Sequence, residues 1–188
     1  CDLGCGQGWL ARELARRGAQ IAGIDLSEQL LTLARQHEER EPLGIVHRQG
    51  DAQCADTLAV GEFDGCICIW SLVDIPDLHA VFQSMQRLLK SGGWLIFAIT
   101  HPCFEAPNAR WITLDGGRSA RAIHEYFCEG FWKSERGGVR TRVGAYHRTL
   151  STYLNTLTNT GFVFEQMVEP LAANHEAPSL LFVRAHKP

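Results

Sequence analysis

Apolar and polar positions alternate along the first hundred residues with two different periods. Trp9 to Arg17 places Leu10, Ala11, Leu14 and Ala15 at helical spacing, and Gly18 is a natural stop. Gln20 to Ile24 is a short apolar run ending in Asp25. Ser27 then offers a side-chain oxygen to cap a helix carrying Leu30, Leu31, Leu33 and Ala34. Gly44 to Arg48 predicts a strand, and Phe63 to Trp70 a strand apolar on both faces, as in a parallel sheet. From Asp77 to Leu89, Leu78, Val81, Phe82, Met85 and Leu89 form one apolar stripe of a helix. Gly92-Gly93 breaks it, and Trp94 to Thr100 predicts the next strand.

Strands alternating with helices predict an α/β fold: a Rossmann-like, doubly wound, mostly parallel sheet. The alternation stops at His101-Pro102. Residues 103–146 lack a clean period and hold Pro107, Gly116-Gly117, Gly130 and Gly137-Gly138 among several aromatics. They read as an irregular insertion after the fifth strand of one 188-residue domain, so that 101–147 is either a substrate lid or an excursion with its own small core. A helix from Leu150 to Thr160 and strands at Phe162 to Val168 and Leu180 to His186 complete the pattern.

Composition adds little: apolar residues are 45% and charged residues 21%, ordinary for a globular chain. No apolar run approaches the roughly 20 residues that span a bilayer. Charge is more informative by position than in total. Residues 110–148 hold eight Lys/Arg and four Asp/Glu, on a chain whose net charge is −3. This basic stretch, with Arg142 and Arg148, is either a solvated surface or a site for an anionic substrate. The seven cysteines contain no C-x-x-C pair. Cys66 and Cys68 share one strand face as small apolar residues, and the set suits a reducing cytoplasm. His101 and Cys103 would be two metal ligands without partners, so no metal site is expected.

The candidate chemistry starts at the first residue. Asp2-Leu3-Gly4-Cys5-Gly6-Gln7-Gly8 leads straight into a helix, where glycines allow close backbone approach and the helix start offers free N–H groups. Asp25 ends the next strand, 21 residues after Gly4, where a carboxylate can accept ribose hydroxyls. Gly50-Asp51-Ala52 follows the third strand. A dinucleotide fingerprint wants its third glycine where Trp9 stands, which disfavours an NAD-linked oxidoreductase.

With Phe63-Asp64-Gly65 and Leu88-Leu89-Lys90-Ser91-Gly92-Gly93 added, these motifs resemble the class I S-adenosylmethionine-dependent methyltransferases over about residues 1–100. The tail, with Tyr146-His147-Arg148-Thr149-Leu150 and Gly161-Phe162, is similar to small-molecule members (type 11-like) related to the ubiquinone and menaquinone methyltransferases. The resemblance implies S-adenosylmethionine as cofactor and methyl transfer to a small molecule. It also implies roles: Asp2, Gly4, Cys5, Gly6 and Gly8 at the methionine part, Asp25 and Leu26 at the ribose, Asp51 and Ala52 at the adenine. Trp70 and Ser71 would lie beside the cofactor.

An in-line methyl transfer mainly needs alignment, which can contribute about 7–11 kcal/mol. A protein base is needed only if the acceptor must lose a proton. His101, ending the fifth strand, and His147 are the candidate catalytic residues, each with a structural alternative. Tyr146 is a substrate-pocket candidate, and Asp74 either orients an acceptor or caps the helix near Pro76. Trp70-Ser71-Leu72-Val73 lacks the Asn/Asp-Pro-Pro-aromatic motif of enzymes that methylate adenine or glutamine amino groups, so nucleic acid is disfavoured as a partner. A non-catalytic cofactor-binding protein on the same fold stays open. Only Cys1, Asp2 and Leu3 precede Gly4, whereas a strand usually has about 5–6 residues. The pattern therefore expects an apolar strand start and a helix upstream.

Overall fold

The computed structural model describes residues 1–135, 137–171 and 177–188. Seven strands form the main sheet: β1 (Asp2–Leu3), β2 (Ala22–Asp25), β3 (Val46–Gln49), β4 (Phe63–Ile69), β5 (Leu89–Thr100), β10 (Val163–Val168) and β11 (Leu180–His186). Their order is β10-β11-β5-β4-β1-β2-β3. β11 pairs antiparallel with both its neighbours, while the ladders joining β5, β4, β1, β2 and β3 are parallel. Chain order reverses at β1, between β2 and β4, and ligands of such sheets sit outside the carboxyl ends of the strands there.

The helices are α1 (Trp9–Arg16), α2 (Glu28–Arg40), α3 (Leu78–Leu88) and α5 (Leu150–Asn159). Ser27 caps α2 by accepting from the Leu30 amide, as its position predicts. The α3 cap is Asp77, three residues after Asp74, accepting from the Ala80 amide at 2.9 Å. α2 packs on β2 and β3, while α3 and α5 pack on each other and on β4, β5 and β10. Their shared core holds Leu3, Ile24, Met85, Leu95 and Ile99. Phe82 meets Phe97 at 5.6 Å and Phe162 at 6.4 Å between ring centres. Cys66 and Cys68 are both fully buried on β4, and burial pushes the Cys66 thiol up to about 12.

Three expectations change. β5 starts at Leu89, ahead of Gly92-Gly93, because the Leu89 backbone already pairs with Phe63 and residues 90–93 bulge out before Trp94 pairs with Gly65. Residues 103–146 are not wholly irregular. β6 (Arg110–Thr113) and β7 (Ser119–Ala122) form a hairpin, α4 (Val139–Val143) is a short helix, and β8 (Gly130–Trp132) pairs with β9 (Ala145–His147). These strands are only three or four residues long, and β6 and β8 are mostly exposed, so no run of alternating positions is long enough to mark them. Trp9 is 73% exposed and blocks no helix–strand packing. Gly8 is the α1 cap in the left-handed region, and a Cβ there would stand 2.9 Å from His47 Nε2, so Gly8 makes the close approach instead.

Candidate functional site

A cavity of about 410 Å³ opens at the carboxyl ends of β1, β2, β3 and β4, in the size range of small-ligand sites. Gly4, Gly6, Asp25, Leu26, Asp51, Ala52, Trp70 and Ser71 all line it. Four segments far apart in sequence thus supply eight of the predicted residues.

Asp25 organises the loop around it. Its Oδ2 accepts from the Gly6 amide and its Oδ1 from the Ser27 amide, each at 2.8 Å. Asp51 is oriented by Gln53, whose main-chain and side-chain nitrogens each donate to it at 2.9 Å. Gln53 also lines the cavity, and its Oε1 accepts from the Asp77 amide at 3.1 Å, tying the adjoining loop to α3. No pattern in the sequence singled out Gln53, although its place two residues after Asp51 is that of an Asx turn. Trp70 holds a positive φ of 69°, and its amide donates to Ala98. Such a conformation in a bulky residue is rare and clusters at functional sites.

Asp2, Cys5 and Gly8 do not line the cavity. Asp2 is 2% exposed, and burial pushes its carboxyl up to about 7, aided by the Asp25 carboxylate. Cys5 packs beneath the loop: a Cβ on Gly23 would stand 2.8 Å from its Sγ, and burial pushes the thiol up to about 12. These residues shape the loop from behind.

A second cavity of about 170 Å³ lies under the insertion, lined in part by Val73, Thr100, Trp132, Arg140, Tyr146, His147, Arg148 and Tyr153. The Tyr146 amide donates to Val73 O at 2.7 Å, fastening the insertion to the turn after β4. The two cavities adjoin at that turn, with Val73 in one wall and Asp74 in the other. Asp74 pairs with Arg140, which lines the smaller cavity, so Asp74 acts across the boundary and caps no helix.

The two histidines part company here. His101 is 1% exposed and lines neither cavity. Its Nδ1 accepts from the Cys103 amide at 3.2 Å and its Nε2 meets Glu169 at 2.6 Å, so both ring nitrogens are committed. These contacts favour the structural alternative for His101, a residue holding the turn at Pro102, over the catalytic one. His147 lines the smaller cavity, and its Nε2 contacts Tyr126 O at 2.7 Å. A carbonyl only accepts, so Nε2 carries the proton and Nδ1 keeps a lone pair. Of the two arginines singled out for an anion, Arg142 is exposed and lines neither cavity. Arg148 is buried beside Tyr146 and Tyr153, whose ring centres lie 5.2 and 6.0 Å from its guanidinium carbon.

Residues 1–97 match the family model described as a methyltransferase domain. The ubiquinone biosynthesis O-methyltransferase of Methylococcus capsulatus is 38% identical over 105 residues, 56% of this chain and 44% of that protein. That of Chromobacterium violaceum is 36% identical over 156 residues, 80% of this chain and 65% of that protein. The chain thus spans between about two fifths and two thirds of the curated relatives it matches. An S-adenosylmethionine-dependent methyltransferase of Mesorhizobium loti superposes with a TM-score of 0.86 at 30% identity, covering 99% of this chain and 89% of that one. With a matching domain model over its first half and the Rossmann-like sheet that carries it, this chain belongs to the methyltransferase-domain family.

Proposed function

We propose that this protein transfers a methyl group from S-adenosylmethionine to a small-molecule acceptor. One observation carries the reading: eight residues implied by the motif resemblance, from four separate loops, line a single cavity of about 410 Å³ at the point where strand order reverses. The residues fit the cofactor. Gly6 leaves open space where a Cβ would stand, with only Leu30 Cδ1 nearby at 4.0 Å, Asp25 and Asp51 add carboxylates to the lining, and Trp70 and Leu26 add apolar surface. In this reading Gly4 and Gly6 hold the methionine part, Asp25 and Leu26 the ribose, and Asp51 and Ala52 the adenine. Asp2, Cys5 and Gly8 act from behind, by keeping the loop in shape.

When bound, the cofactor supplies an electrophilic methyl on a sulfonium, so the chain's own task is alignment and exclusion of water. Residues 101–147 serve as the lid over the acceptor. The basic balance of residues 110–148 favours an acceptor that carries negative charge. His147, which lines the smaller cavity, takes the acceptor's proton where one must leave. Seven cysteines, free where the structure describes them, suit a reducing, cytoplasmic setting.

Calorimetry with S-adenosylmethionine and with NAD tests the cofactor, and release of S-adenosylhomocysteine across a panel of small acceptors tests turnover. Tight binding of the first alone, with turnover on some acceptor, is the expected result. Preference for NAD, or no binding of S-adenosylmethionine by a folded chain, overturns the reading.

A further inference from the structure

Arg148 is 8% exposed and permanently charged. Its hydrogen bonds go to main-chain oxygens: Nη1 to Leu72 at 3.1 Å, and Nη2 to Ile75 at 2.6 Å and Pro76 at 2.8 Å. Among the described residues no carboxylate pairs with it. Carbonyl dipoles and two aromatic faces offset part of its charge, but a cation withdrawn from water ordinarily has a counterion. Arg148 lines the cavity of about 170 Å³.

Tyr153 lines the same cavity and is 2% exposed, and its hydroxyl, which feels the Arg148 guanidinium, finds no acceptor for its own proton. Burial raises its pKa, so the hydroxyl keeps its proton at neutral pH. A buried cation without a carboxylate partner and a buried hydroxyl whose proton has no acceptor therefore line one small space. The nearby carboxylates are spent elsewhere. Glu105 pairs with Arg121 at 3.0 Å, Asp74 with Arg140, and Glu129 accepts from Thr149 and Thr152 at 2.6 Å each.

We propose that this cavity recognises a carboxylate borne by the methyl acceptor, with Arg148 as its counterion and Tyr153 as a donor to it. The proposal rests on the reading of the chain as a small-molecule methyltransferase and adds the acceptor's chemical class. Arg148 retains two of its five N–H groups, and Tyr153 adds one donor. Three donors suit the two oxygens of a monoanion. A phosphate dianion would need more, and would face Glu105 on the same wall. Because Arg148 also holds Leu72, Ile75 and Pro76, an acceptor anchored on it sits beside the turn that divides the two cavities. Ile75 and Pro76 line the cofactor cavity, so the anchor and the transfer site share one rigid segment.

The test titrates the folded protein with acetate and benzoate, with their neutral isosteres acetamide and benzamide, and with inorganic phosphate. S-adenosylhomocysteine is titrated separately. A carboxylate should bind at least about tenfold more tightly than its amide, as expected for hydrogen bonds to a charged group. Tyr153→Phe should cut that preference several-fold and leave S-adenosylhomocysteine affinity unchanged. Arg148→Lys, which keeps the charge but not the fork, should also weaken carboxylate binding and gives a second readout should Tyr153→Phe fail to fold. Equal binding of acid and amide, tighter binding of phosphate, no binding of either carboxylate, or indifference to both substitutions would each overturn the proposal. Failure of S-adenosylhomocysteine to bind would instead sink the methyltransferase reading, whatever the carboxylates do.

Discussion

The Ser71 hydroxyl donates to the carbonyl oxygen of Gly4 at 3.0 Å, joining the first loop of the chain to the turn after β4. The contact is close enough that a Cβ on Gly4 would overlap the Ser71 side chain. Gly4 also has a φ of +76°, which costs an L side chain roughly 1–2 kcal/mol. Both effects converge on one position of the cavity wall.

Gly4→Ala is therefore expected to lower the melting temperature and to weaken S-adenosylmethionine binding together. Gly4→Ala with Ser71→Gly removes the overlap and leaves the backbone strain, so it should recover part of the lost stability. A double variant no more stable than the single one would mean that strain alone, and not the Ser71 contact, sets the cost.

Asp25 poses a different case, because its carboxylate both shapes the loop and faces the ligand. Its two oxygens already accept from Gly6 and Ser27. Asp25→Ala should lower S-adenosylmethionine affinity by about 1.5–3 kcal/mol, the range for hydrogen bonds to a charged group. Asp25→Asn retains an acceptor but can no longer serve both amides as a carboxylate does, so an intermediate loss is expected. Calorimetry on the three proteins checks the order; an alanine variant that binds as well as the parent would contradict the proposed role.

These positions were legible in the sequence because their information is local. A glycine loop opening a helix, an acid ending the next strand and a Gly-Asp pair after the third are short patterns at fixed offsets. What escaped is non-local or main-chain. Asp74 meets Arg140 across 66 residues, and nothing in either segment announces the other. The sequence leaves Arg148 open between a solvated surface charge and an anion site; three carbonyl oxygens take it inward, and a carbonyl partner leaves no signature in a sequence. The exposure of Trp9 is likewise set by the main chain, since Gly8 caps α1 one residue early and turns the tryptophan out to solvent.

The two histidines separate by experiment as they do by place. His101→Gln should cost about 1–3 kcal/mol of stability through its lost buried contacts and leave kcat near the parent value. His147→Gln keeps a donor for Tyr126 O, so the fold should hold. If His147 takes the acceptor's proton, kcat should fall by about 10²–10⁴ and the acidic limb of the pH–rate profile should disappear. A His147→Gln enzyme with an unchanged profile would leave the lone pair on Nδ1 without a catalytic role.

Asp2 gives a pH dependence whose sign follows from its burial. Its carboxyl titrates at about 7 in the fold, against about 3.9 in an unfolded chain. The folded state therefore prefers the proton, and the unfolded state gives it up first. The stability that this group contributes is full below about pH 4 and is lost progressively as pH rises through about 7. Asp2→Asn resembles the protonated acid in size and cannot ionise. Melting curves of the two proteins should lie close together near pH 4 and separate with rising pH, the asparagine variant becoming the relatively more stable. The same variant should bind S-adenosylmethionine with a flatter pH dependence if Asp2 shapes the loop from behind, since no charge then appears beneath Gly4 and Asp25 as the pH rises. Melting curves that stay parallel from pH 4 to pH 8 would show that the carboxyl titrates alike in both states, and that its burial carries no such cost.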